Sequence, residues 1–192
     1  MRTTDNGQQT TDQLLKDLKK ELRASMNGIL SARMREAGMP FKLIFGVELP
    51  RLQSIAAEFP QDAELAQQLW SQNIRETRLL AIMLMPVEAF TAEVANSWAE
   101  TLLTAEEAQV LAMLLLSKTK HAKETCLSWL NTGKSLPSVC ACLCLRRMLV
   151  QGTKLEQKEA EIIGECTTKM LPTANLHLRK AIQTLKEALN AK

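Results

Sequence analysis

Residues 45–86 read FGVELPRLQSIAAEFPQDAELAQQLWSQNIRETRLLAIMLMP. Three short helices are spelled out here. Leu49, Leu52, Ile55, Ala56 and Phe59 recur at helical spacing, and Pro60 stops the run. Asp62 has the short acceptor side chain of an N-cap, and Leu65, Leu69 and Trp70 line one face of the helix it starts. Ile74, Leu79, Leu80, Ala81, Met83 and Leu84 make the third helix nearly apolar all round, which predicts burial. Pro86 closes it.

The same unit, an amphipathic helix followed by a more apolar one, returns along the chain. On the N-terminal side, residues 1–11 read as a disordered polar tail. Asp12 is placed to cap a long helix to about Ala37, with Leu14, Leu15, Leu18, Leu22, Met26, Ile29, Leu30 and Met34 at helical spacing and Gly38 just past its end. Lys16, Lys19, Lys20 and Arg23 alternate with Asp17 and Glu21 and read as a solvated face. On the C-terminal side a helix over 91–102 carries Val94, Ala95, Trp98 and Leu102. Thr104 and Glu107 have the capping-box spacing and start a core helix to about 117. The next helix carries Cys126, Leu127, Trp129 and Leu130 and ends near Gly133. Ser135 is placed to cap the most apolar helix, to about Gln151, with Pro137 in its first turn. Thr153 and Glu156 form a second capping-box pattern. Thr173 is placed to cap a last helix with Leu176, Leu178, Ala181, Ile182, Leu185 and Leu189 inward.

The apolar helices fall at 75–85, 104–117, 135–151 and 174–190, a recurrence of roughly 30–45 residues. Units that cannot bury their own apolar face must stack. The expectation is an all-α helical-repeat solenoid of about ten helices, a single domain over residues 12–192. Four Phe, three Trp and no Tyr in 192 residues argue against a β-rich chain.

Net charge is +3, and its distribution says more. Residues 1–102 hold 11 basic and 13 acidic side chains, net −2, whereas residues 103–192 hold 13 and 8, net +5. A basic half suits an anionic partner. No apolar run is long enough for a transmembrane helix and the N-terminus lacks an apolar signal core, so no membrane partner is expected. Five Cys without metal-like pairing point to free thiols in a reducing cytoplasm. His121 and His177 stand singly. No metal site, phosphate-binding Gly loop or Ser-His-Asp arrangement is visible, and no cofactor is expected.

Phe45-Gly46-Val47, Pro50, Leu52, Ile55-Ala56, Leu65-Ala66, Leu69-Trp70 and Glu76-x-Arg78-x-x-Ala81 together resemble the DNA alkylation repair family, the AlkD-like proteins. The resemblance continues more loosely to the C-terminus. It implies HEAT-like repeats with a concave surface for duplex DNA, and glycosylase chemistry on alkylated purines. That chemistry uses a Trp in the groove and an Asp four residues later, whose carboxylate stabilises the positive charge developing on the sugar. Here Trp98 is followed at that spacing by Leu102, which carries no charge. Glu100 lies about 200° around the helix from Trp98. Trp98 reads first as plain core packing. The family's groove Arg has no match at Ser138-Val-Cys-Ala141. Glu76 and Arg78 read as a structural pair, and Cys140, Cys142 and Cys144 as core residues.

Sequence alone therefore leads to a DNA-binding protein that lacks the family's catalytic Asp, with Trp98 and Glu100 the only catalytic candidates. Lys118, Lys120, Lys123, Lys134, Arg146, Arg147 and Lys154 are the expected phosphate contacts, with Trp98 or Trp129 near a lesion. A monomer is expected. The competing class is a non-catalytic protein-binding scaffold, because helical-repeat solenoids also hold proteins.

Overall fold

The structure, a computed structural model, describes residues 10–191. Among them are eleven α-helices and no strand, and the chain falls into two compact units, Met1–Met85 and Pro86–Lys192.

The first unit contains α1 (Thr11–Ala24), α2 (Gly28–Glu36), α3 (Leu49–Ala57), α4 (Ala63–Trp70) and α5 (Arg75–Leu84). The cap of α1 is Thr10, not Asp12: its hydroxyl accepts from the Gln13 amide at 3.3 Å. Residues 1–9 of the expected tail lie outside the described residues. The long first helix is also two helices. Asn27 interrupts it, donating its amide to the Phe45 carbonyl at 3.0 Å and capping α2 through Leu30 N at 3.0 Å. Met26 and Ile29, expected inward, are 59 % and 72 % exposed. Hydrophobic spacing runs on through a break; the Asn-Gly pair at 27–28 carried the stop.

The segment between α2 and α3 is irregular yet buried at Phe41, Ile44, Phe45 and Val47. Buried backbone without a ladder needs other partners. Ser31 Oγ donates to the Ile44 carbonyl at 2.7 Å. Leu43 pairs with Asn73 and Arg75 through single backbone bonds in an isolated bridge. The rest falls to Glu76, which is wholly buried on α5. Its carboxylate accepts from the amides of Phe45 (2.9 Å), Gly46 (2.9 Å) and Val47 (3.3 Å) and from Arg75 Nη1 (2.9 Å). Arg75 also reaches the Val47 carbonyl at 2.9 Å. Arg78 donates to the Trp70 carbonyl at 3.0 Å and lies 3.8 Å from the centre of that indole. These three charges fasten one loop and the end of α4 to a helix that is otherwise core. Gly46, at φ +76°, has no room for a Cβ, which would overlap the Asn27 carbonyl oxygen and the Ser31 amide.

The second unit contains α6 (Ala92–Glu100), α7 (Ala105–Leu114), α8 (Ala122–Thr132), α9 (Ser135–Val150), α10 (Gln157–Met170) and α11 (Leu176–Asn190). Short 3₁₀ turns occupy Val87–Ala89 and Leu116–Lys118. α9 packs against α7, α8 and α11, while α8 packs against α6 and α10. The result is two layers, α6-α8-α10 and α7-α9-α11, in which the expected apolar helices form the second layer and α9 is its centre. Thr104 and Glu107 make the expected capping box, with Glu107 N donating to Thr104 Oγ1 at 3.2 Å and Glu107 Oε2 accepting from Leu103 N at 2.7 Å. Gly133, at φ +66°, ends α8 as expected. Three other starts differ. Ser135 lies inside the first turn of α9, whose N-cap is Lys134 with no side-chain bond. The capping box of α10 is Glu156 with Glu159, not Thr153 with Glu156. Asn175, not Thr173, caps α11, accepting from Leu178 N at 2.9 Å. Leu176 consequently sits at the first helical position, 77 % exposed, and not in the core.

Candidate nucleic-acid interface

Trp98 is 1 % exposed and meets Phe90 edge to face, with ring centroids 5.2 Å apart. It is a core residue of the second unit. Leu102 follows it at 8 % exposure. Glu100 points to solvent and forms an ion pair with Lys134 Nζ. Trp129 is 3 % exposed, and its indole N–H donates to Asn96 Oδ1 at 2.7 Å, tying α8 to α6. Neither indole is presented at a surface.

The expected phosphate contacts divide by their partners. Lys123 Nζ lies 2.7 Å from Glu159 Oε1. That hydrogen bond lowers the Glu159 carboxyl pKa and raises that of Lys123. Lys134 is held by Glu100. Lys118 and Lys120 line a hollow of about 420 Å³ with His121 and Phe90. His121 itself is occupied: Nε2 donates to the Phe90 carbonyl at 2.7 Å, and Nδ1 pairs with Thr125 Oγ1 at 2.9 Å. Lys154 is exposed in the link between α9 and α10. Arg147 is half-buried, its Nε shielded from solvent and without a hydrogen-bond partner.

Arg146 stands apart from these. It belongs to a trough of about 390 Å³ across the second helical layer. α9 contributes Val139, Leu143 and Arg146, at i, i+4 and i+7, one stripe of a helix. α11 contributes His177, Lys180, Ala181 and Thr184 at the same spacing, and α7 contributes Ala105 and Gln109. Three basic side chains line the trough and no carboxylate does. The sequence reading found Arg146 but missed Lys180, His177 and Gln109. The signal was present as a stripe on α11 one step round from its core face, Leu178, Ile182 and Leu185.

Charge by structural unit corrects the weight given to a basic half. Cutting after Met85 assigns Glu88, Glu93 and Glu100 to the second unit, which then holds 13 basic and 11 acidic side chains. Cys126, Cys140, Cys142, Cys144 and Cys166 are all free and buried. Burial pushes the Cys126 and Cys140 thiols well up, and that of Cys142 up to about 12. An alkyl-accepting thiol needs a lowered pKa, so these three do not supply one. No group of three or more His, Cys, Asp or Glu able to hold a metal ion occurs among the described residues, and no helix among them is long and apolar enough to cross a membrane.

No curated protein matches the chain. A solved structure matches over 91 % of this chain and 75 % of its own, with a TM-score of 0.78 at 17 % identity. It is described as a new family of proteins related to the HEAT-like repeat DNA glycosylases with affinity for branched DNA structures. That likeness gives the fold, a HEAT-like helical repeat, in agreement with the layered pairs of helices. The profile described as DNA alkylation repair enzyme matches residues 18–185, nearly the whole length, and the chain belongs to that family.

Proposed function

We propose that this protein binds duplex DNA through the second unit and has lost the base-excision chemistry of its family. The observation that carries the binding is the α7-α9-α11 trough, where Arg146, His177 and Lys180 converge with no carboxylate among them. Phosphate attracts cations that have no other partner, and neither Arg146 nor Lys180 is in an ion pair with any described carboxylate. Lys118, Lys120 and Lys154 extend the set. Lys123 and Lys134 contribute less, because each must first leave a carboxylate. The solved neighbour's affinity for branched DNA makes a junction a second substrate worth including.

The residues near Trp98 support the loss of chemistry. The indole is in the core, Leu102 replaces the acid, and Glu100 is engaged with Lys134. No free carboxylate is left there to stabilise the positive charge that develops on the sugar.

The test is binding and excision on the same DNA. Fluorescence anisotropy on a duplex with and without N7-methylguanine, at two salt concentrations, is expected to give an affinity that falls steeply with salt. Release of free base is expected to equal the no-protein control. Arg146→Glu with Lys180→Glu is expected to remove binding. Unchanged binding by that double variant excludes the trough. Base release above control overturns the loss of chemistry. No binding at all leaves a protein-binding scaffold as the function.

A further inference from the structure

A duplex backbone touches a surface; it does not need a cavity. The trough nevertheless has depth: about 390 Å³, within the ~300–1,000 Å³ span of small-ligand sites. Its parts are arranged by polarity. The half-buried Leu143, backed by Val139 and Ala181 at 2 % and 3 % exposure, forms an apolar floor, while Lys180 is exposed. Gln109, exposed on α7, offers an amide that both donates and accepts. Thr184 donates its hydroxyl to the Ala181 carbonyl at 3.0 Å, which leaves the oxygen lone pairs as acceptors. Cations at a rim, an apolar floor and two neutral polar groups describe a ligand with an anionic end and a flat, hydrogen-bonding, weakly polar end.

The geometry points to a pocket for one unstacked nucleotide, its phosphate held by Arg146 and Lys180 and its base laid on Leu143 with an edge toward Gln109. This rests on the trough being the DNA-contacting site proposed above. It assigns a different task to it: reading a nucleotide outside the helical stack, as single strands are read by their exposed bases. The absence of any carboxylate in the lining suits a terminal phosphate of two charges as well as a diester of one.

The test uses the whole protein. Isothermal titration with deoxythymidine and deoxyadenosine 5′-monophosphates is compared with thymidine and with inorganic phosphate. Either nucleotide is expected to bind at least about tenfold more tightly than nucleoside or phosphate, because both ends contribute. Gln109→Phe fills the trough and leaves every cation in place. It is expected to weaken the monophosphates, and a duplex carrying a short single-stranded gap, by about fivefold or more. Lys180→Glu is expected to weaken all of them. Nucleotide binding no tighter than inorganic phosphate overturns the pocket, as does a Gln109→Phe variant with wild-type nucleotide affinity. If blunt duplex binds while nucleotides do not, the pocket fails alone. If nucleotides bind while duplex does not, the pocket stands and the duplex reading fails.

Discussion

Single side chains in this protein do work that their type conceals. Glu76 looks like a catalytic carboxylate by burial and charge, yet its oxygens are filled by three loop amides and Arg75. Glu76→Ala is expected to destabilise the fold by about 3–5 kcal/mol, because it leaves buried amides and a buried guanidinium without their acceptor. Denaturant unfolding checks this; a loss under about 1 kcal/mol would show that water replaces the carboxylate. Glu100 is the converse case, exposed and paired with Lys134. If it were catalytic, Glu100→Gln would abolish base release. Here the substitution frees a lysine, and DNA affinity measured at low salt is expected to rise, with a salt slope steeper by up to about one. The Lys123–Glu159 pair carries a pH dependence of definite sign. A depressed carboxyl pKa contributes above the unfolded value and is lost as pH falls through the folded one. The raised Lys123 contributes below the unfolded lysine value and is lost as pH rises through its folded one. Acidification therefore releases Lys123, and its contribution to DNA affinity is expected to grow as Glu159 protonates.

At the scale of elements, the apolar helices were the most legible. α5, α7 and α9 were visible as apolar runs because a helix buried on most sides leaves little polar residue to blur its pattern, whereas α11 was visible through its single buried stripe, Leu178, Ala181, Ile182 and Leu185. Starts were less legible. Thr104 capped as read, but Ser135, Thr153 and Thr173 did not, since a short polar residue within a turn of the true start satisfies the same pattern. The cap falls where packing begins, and packing is not written in a window of four residues. The break at Asn27 was missed for a related reason: it depends on the Phe45 carbonyl, eighteen positions away in sequence. The trough was half legible. Arg146 stood out beside the α9 core, whereas Lys180 and His177 required knowing that α11 lies against α9. The cysteines of α8 and α9 give an element-scale prediction. Cys126, Cys140 and Cys142 are buried, with pKa values raised by that burial. A thiol reagent such as Ellman's at pH 8 is expected to leave them unmodified in the folded protein and to titrate all five cysteines once it is unfolded. Rapid reaction of any of the three would show that this helix pair opens.

For the whole molecule, the proposed DNA affinity turns on which cations are free. Net charge over the whole chain is +3 and suggests little; counting by sequence half suggested a basic domain that the structural units do not reproduce. Partnering decides instead. A cation already held by a carboxylate releases no net counterion atmosphere when phosphate replaces that carboxylate, so it adds little to the salt dependence of binding. Lys123→Ala and Lys134→Ala are therefore expected to leave the slope of log affinity against log salt nearly unchanged. Arg146→Ala and Lys180→Ala are expected to reduce it by about 0.9 each. The four variants remove the same formal charge, so net charge alone predicts four equal shifts. Equal shifts, measured by anisotropy on one duplex across a salt series, would mean that long-range attraction to the whole surface governs binding and that the trough has no special part in it. A split between the two pairs would tie DNA affinity to three adjacent helices of the second unit.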